Sequence, residues 1–352
     1  MQDQNRPNII FIQTDQQRHD AVGYVNPLVK TPNLDRLARD AVRFCNHYAV
    51  NPSCVPSRAA VFTGRYPSQC GCPTYISKLP ADEKTFMHYL REGGYYTACI
   101  GKQHFNGSAI ERGYDYEDII DTPVQAVEKE LSDYAPEKCP NSYVRHLKEH
   151  GFTSSEQCFE RHGPGPKQHL QEWKAGKEHH VDVFIGNQGY NWLKARLEGE
   201  TMQQAPFYLH LSFIGPHTPL DVSFPEYIEQ YPLEDIPVPN TAFEDLMTKP
   251  EIYRKQHYRT MRRLIALGVD VGNGMADMQI KHSRRQYYAN VTMIDEKIGQ
   301  ILDLLHQHNA YEQTMLIFSS DHGDYMGDFG LLTKGQSLAE VLTRTPLLIK
   351  PP

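Results

Sequence analysis

Asn8-Ile9-Ile10-Phe11-Ile12-Gln13-Thr14, followed at once by Asp15-Gln16, is the stretch whose reading sets the architecture. A short β-rich apolar run reads as a strand covered on both faces, because a strand with one wet face would alternate apolar and polar residues. The pattern recurs. Tyr95–Ile100 runs into Gly101, Lys102 and His104, and Phe207–Phe213 leads to Gly215, Pro216 and His217. Thr314–Ser320 stops at Asp321 and His322, and Pro346–Lys350 reads as one more strand. Between the runs lie helical stretches. Thr31 and Pro32 make an N-cap and first-turn pair before Leu34, Leu37, Ala38, Ala41 and Val42 at helical spacing. Ser283–His308 carries Met293, Ile294, Ile298, Ile301, Leu302 and Leu305 on one stripe. Strands alternating with helices predict an α/β fold with a mostly parallel sheet covered on both faces. In such sheets the ligand crevice lies outside the carboxyl ends of the strands. Four of these strand ends carry acids, histidines or lysines.

The chain has 352 residues, 39% hydrophobic and 22% charged, which excludes disorder, collagen and coiled coil. Its 36 Lys+Arg against 43 Asp+Glu give a net charge of −7, with no electrostatic footprint for nucleic acid or an anionic membrane. No apolar run approaches the roughly 18 residues of a membrane helix. Seven scattered cysteines read as reduced thiols, and the expected setting is cytoplasmic, or periplasmic or secreted if a leader was removed. Cys70-Gly71-Cys72 is too tightly spaced for a zinc knuckle.

Two stretches resist the alternating pattern. Residues 121–200 are polar and rich in His and Glu, with HGPGPK in the middle, and residues 221–280 are Pro-rich and then basic. Both are expected to be insertions draped over the strand-end face. His146/His150 and His179/His180 have ligand-like spacing, but a solvated face or loop explains them equally well.

The sharpest chemical signal is Cys54-Val55-Pro56-Ser57-Arg58, continuing to Thr63-Gly64-Arg65. It places a cysteine at the start of a short helix with an arginine one turn on. Free N–H groups there favour an anion, and Arg58 would stabilise a thiolate or a bound anion. Three residues separate Cys from Arg where a tyrosine phosphatase needs five, so that reading fails. Taken alone, Cys54 fits a buried thiol before a helix as well as it fits a reactive group.

Cys-x-Pro-Ser-Arg resembles the signature of the sulfatase family, within the alkaline-phosphatase-like superfamily. PNIIFIQTDQQR from Pro7, TPNLDRLA from Thr31, GKQHF from Gly101, GPHTP from Gly215 and SSDHGDYMGDFGLLTKG from Ser319 follow in the family's order. The resemblance implies a three-layer α/β/α fold and hydrolysis of sulfate esters. It implies that a maturation enzyme oxidises Cys54 to formylglycine. One hydrate oxygen would attack sulfur, giving a covalent sulfo-enzyme, and the second hydroxyl would then release sulfate. Asp15, Gln16, Asp321 and His322, together with residue 54, would hold one divalent cation. Gln16 and His322 stand where many members have an acid and an asparagine. Ca²⁺ is the expected ion, with Mn²⁺ or Mg²⁺ as alternatives, because a histidine nitrogen is unusual for Ca²⁺. By the same resemblance Arg58 and Lys102 hold the diol and a sulfate oxygen. His104 is the base of the elimination step, and His217 and Lys334 bind sulfate and protonate the leaving alcohol.

Family members commonly continue into a smaller C-terminal antiparallel subdomain, whereas this sequence stops at Pro351-Pro352. If that layer is missing, an exposed apolar face or edge and self-association are expected. The aspartate and histidine pairs also resemble those of phosphonate monoester and phosphodiester hydrolases. A non-catalytic sulfoglycan-binding protein is a third reading, disfavoured because a binder has no need of His104 or the metal pair.

Overall fold

The computed structural model describes residues 6–105, 112–121, 131, 135, 141–161, 171–199, 205–239, 246–266 and 275–352. HGPGPK lies outside the described residues, as do the other gaps within the two expected insertions.

The quoted stretch is β1 (Asn8–Thr14), near the middle of a seven-stranded sheet. The other strands are β2 (Val42–Arg43), β3 (Tyr96–Gly101), β4 (Tyr116–Ile119), β7 (Phe207–Ser212), β8 (Thr314–Ser320) and β9 (Leu347–Lys350). A separate antiparallel hairpin joins β5 (Phe159–Arg161) to β6 (Gln171–Trp173). The order in the sheet is β2-β9-β8-β1-β7-β3-β4. The run from β8 to β4 is parallel, while β9 is antiparallel to β8 and to β2. The edge strand β2 leaves Val42 exposed, as is Phe44 just beyond it.

Successive side chains of β1 point to opposite faces. Ile10 and Ile12 enter the larger core cluster with Leu209, Leu211, Ile298 and Leu302. Phe11 enters the opposite cluster with Val55, Phe62, Cys99 and Tyr208. The first face is covered by α1 (Pro32–Asp40), α5 (Val181–Glu198) and α8 (Met275–Gln307), and the second by α2 (Cys54–Thr63) and α3 (Phe86–Glu92). This is the expected three-layer α/β/α arrangement. The remaining helices are α4 (Ser142–Glu149), α6 (Pro225–Ile228), α7 (Glu251–Ala266) and α9 (Glu340–Thr343).

Three details differ from the sequence reading. The long helix starts at Met275 rather than Ser283, because nothing in MADMQIKH breaks a helix and Arg284 donates to the Met326 carbonyl at 2.7 Å, tying the helix to the loop after β8. Thr31 precedes α1 but makes no side-chain cap. Asp295 on α8 takes that part, accepting the Asn33 amide at 3.0 Å and the Leu34 amide at 2.7 Å. The stretch 121–200, expected to be an insertion, ends in α5, whose Val181, Phe184, Ile185 and Leu193 are buried in the main core.

Candidate active site

Parallel pairing brings the strand ends into register, Thr14 beside Ser320 and Gln13 and Gly101 beside Ser212. The next residue along each strand therefore emerges at one end of the sheet, and these include Asp15, Lys102 and Asp321. Gly101 makes the approach of β3 to β7 possible. It has φ +93°, and a Cβ there would lie 2.0 Å from the Ser212 carbonyl oxygen, the atom that accepts the Lys102 amide at 2.8 Å.

Cys54 is the first residue of α2 and is 3% exposed. Its Sγ lies 3.3 Å from His322 Nε2, 3.8 Å from Asp15 Oδ1 and 2.6 Å from Lys334 Nζ, and the His104 side chain also hydrogen-bonds to it. Burial pushes the thiol up, but Lys334, Lys102 and His322 outweigh it and hold the group well below the ordinary thiol range. Cationic groups thus surround residue 54, at the point where carboxylates and an imidazole also converge. Asp15, Cys54, Asp321 and His322 each present a ligand atom, all within 4.8 Å of one another.

Arg58, one turn further along α2, is fully buried and locks these groups together. Its Nε donates to Asp321 Oδ2 at 2.7 Å. Its Nη1 is shared among Gln13 Oε1 at 3.1 Å, the Lys102 carbonyl at 2.8 Å and Ser212 Oγ at 2.9 Å. Its Nη2 lies 3.7 Å from Asp15 Oδ2 without a hydrogen bond. Burial works against the guanidinium, yet Asp321 and Asp15 raise it above its ordinary value. Lys102 Nζ stands 2.5 Å from Asp15 Oδ2. Burial and Cys54 push Asp15 up, but Lys102, His217 and Lys334 dominate and hold it well below the usual carboxylate range.

Gln16 stands just past β1 with φ +70°, a strained backbone for a residue with a side chain. Its amide N–H donates to Asp321 Oδ1 at 3.0 Å and its side-chain N–H₂ donates to Asp324. Its Oε1 is buried without a hydrogen-bond partner. One orphaned buried amide oxygen beside two acids and an imidazole suits a divalent cation, so the donor set fits the expected ion.

His104 also has positive φ, +60°. Its amide and that of Gln103 both donate to Asp121 Oδ1, at 2.9 and 2.7 Å, and its Nδ1 is buried without a partner. Lys334 comes from the loop after β8, with Nζ 3.1 Å from His322 Nε2. His217 follows β7, with Nδ1 donating to the Thr218 carbonyl at 2.6 Å, and its charge acts on Asp15. The structure therefore gathers every expected residue at one strand-end site.

Sequence reasoning missed the residues that position this set. Asp324 was in plain view three residues after Asp321. Asp121 and Asp182 carry no local signal, because they act on distant backbone. Asp182 Oδ1 accepts the Ile214 and Gly215 amides, both at 2.9 Å, and so holds the loop that leads to His217.

Known proteins resemble this chain in sequence and in fold. The uncharacterized sulfatase YidJ of Escherichia coli (strain K12) is 30% identical over 99% of this chain, which spans 63% of that protein. The arylsulfatase of Clostridium perfringens is 29% identical over 99% of the chain, which spans 69% of it. Among solved structures, the phosphonate monoester hydrolase of Agrobacterium radiobacter superposes with a TM-score of 0.74 at 24% identity, over 98% of this chain and 68% of that one. The sulfatase family model matches residues 7–352. The chain belongs to the sulfatase family.

Proposed function

We propose that the protein hydrolyses sulfate esters through a formylglycine hydrate derived from Cys54, assisted by one divalent cation. The observation that carries this reading is the position of the Cys54 sulfur, touching Lys334 and within ligand distance of Asp15, Asp321 and His322. In the proposed reaction the nucleophile of the matured protein would take the place of that sulfur.

Asp15, Gln16, Asp321 and His322 would hold the cation. Three are oxygen donors, which favours Ca²⁺, while the His322 nitrogen also suits Mn²⁺. When bound, it acts as a Lewis acid that makes the nucleophile more acidic and offsets charge on the transferring group. Lys102, Lys334 and the unpaired Arg58 Nη2 offer fixed positive charge to the sulfate oxygens. As the bond from residue 54 to sulfur forms and the ester S–O bond breaks, His217 or Lys334 gives its proton to the departing alcohol oxygen. His104 then takes the proton of the remaining hydroxyl, whose oxygen re-forms the aldehyde as sulfate leaves, and water restores the hydrate. A formylglycine-generating enzyme is the partner this scheme requires.

The same residues serve a phosphonate monoester, whose reacting group also carries a single negative charge, and the fold is shared with the Agrobacterium hydrolase. Two measurements decide. The tryptic peptide Phe44–Arg58 should carry an aldehyde or its hydrate at Cys54, read by mass. Matured protein should then turn over an aryl sulfate faster than the matching aryl phosphonate. The reverse preference selects the phosphonate reading, and full turnover by Cys54→Ala removes both.

A further inference from the structure

Away from Cys54, three imidazoles meet beside the covering layer. His146 and His150 stand one turn apart on and just after α4. His179 ends the 3-10 turn Lys177–His179 that leads into α5. One ring nitrogen from each lies within 4.8 Å of the others, and His146 Nε2 is 2.9 Å from His179 Nδ1. The ring centroids are 4.4, 4.7 and 5.0 Å apart. A solvated helix face would let such long-reaching rings diverge into water. Here they face one another.

The other nitrogen of one of these rings is already committed, and that of a second faces a carboxylate. His150 Nδ1 donates to the His146 carbonyl at 2.8 Å, which leaves its Nε2 with a lone pair. His179 Nε2 faces Glu178 Oε1 at 3.7 Å, so its Nδ1 is the nitrogen turned to His146. Backbone carbonyls and carboxylates in these positions are the usual outer partners of ligating histidines. The site is braced as well. Tyr143 Oη donates to the His179 carbonyl at 3.0 Å, and Phe152 and Phe184 pack against the His179 and His146 rings. Burial and the two neighbouring imidazoles push His146 down to about 4.

We propose that His146, His150 and His179 form a second metal site, of zinc type, separate from the Cys54 centre. Three imidazole nitrogens suit Zn²⁺, Co²⁺, Ni²⁺ or Cu²⁺ and disfavour Ca²⁺ and Mg²⁺, with solvent completing the tetrahedron. The ion clasps α4 to the start of α5. Asp182, three residues after His179, holds the amides of Ile214 and Gly215, so the clasp steadies the base of the loop that carries His217.

The test uses the whole chain, stripped with chelator, supplied with excess Ca²⁺ to occupy the Cys54 centre, and dialysed against Zn²⁺. Wild type should retain one more zinc per chain than His150→Ala, a variant at an exposed position that leaves the fold intact. Zn²⁺ should raise the melting temperature of wild type and not of the variant. Co²⁺ should give the visible absorption of a tetrahedral site in wild type alone. Equal zinc content in the two proteins, or the same Zn²⁺-induced shift in both, overturns the proposal. None of these readouts depends on hydrolytic activity, so they stand or fall apart from the reaction assigned to Cys54.

Discussion

Gln16 gives its side-chain amide to Asp324, and the same side chain keeps its carbonyl oxygen buried without a hydrogen-bond partner. The pair therefore orients a neutral oxygen donor where a second carboxylate would bring charge. Gln16→Ala should weaken divalent-cation binding by at least about 10–100-fold, the range seen for loss of outer partners alone. Calorimetric titration of stripped protein with Ca²⁺ and Mn²⁺ checks this. Gln16→Glu would set two carboxyl groups side by side. Burial already raises Asp324, and a second acid raises the pair further. A folded-state pKa above the unfolded value stabilises below it and is lost as pH rises, so the metal-free Gln16→Glu melting temperature should fall with rising pH relative to wild type.

Arg58 predicts a stability effect distinct from its effect on activity. It is the buried counter-charge of Asp321 and sits beside Asp15. Arg58→Ala removes the guanidinium paired with Asp321 and should cost about 3–5 kcal/mol in urea unfolding of the metal-free protein. Bound divalent cation should restore part of that loss, since it neutralises the same carboxylates.

The unmodified chain carries a thiol in a strongly cationic setting. With its pKa held well below the ordinary value, Cys54 should be a thiolate at neutral pH. Its absorbance at the thiolate band should persist as pH is lowered through 8 and 7. Lys334→Met should move that transition to higher pH, while burial holds the Cys72 and Cys99 thiols above their ordinary range.

Asp295 offers a cleaner pH signature, far from the chemistry. Burial pushes its carboxyl up to about 6, against the hydrogen bonds from α1 that pull it down. The folded state then binds a proton more tightly than the unfolded chain, so this group's stabilisation is present at low pH and lost as pH rises between about 4 and 6. Asp295→Asn should flatten the stability profile across that window. The comparison is of slopes, because the amide also loses one of the acceptor contacts to α1.

The central strands and the chemical residues were legible because their apolar runs end abruptly in polar groups, and a covered parallel sheet makes that the signature of a strand end. The edges were not. β4 (YEDI) is polar and partly exposed, and β2 spans two residues, so neither imposes a pattern. Asp121 and Asp182 were invisible because they bind backbone amides, which have no sequence signature. His146 and His150 could be paired by helical spacing alone, but their partner His179 sits in a turn that only the tertiary fold brings back to α4.

The sheet order places β1 between β7 and β8, so the amino-terminal strand finds its neighbours only after most of the chain exists. Cys54 is sealed by Lys334, 280 residues further along. At ribosomal speeds of about 5–20 residues per second, that separation leaves roughly 14–56 s between the emergence of the cysteine and of its lid. The modifying enzyme that the proposed reaction requires would have that interval on the growing polypeptide and almost none afterwards, when the sulfur is 3% exposed. The topology acts as a clock. Any change that hastens closure shortens that interval.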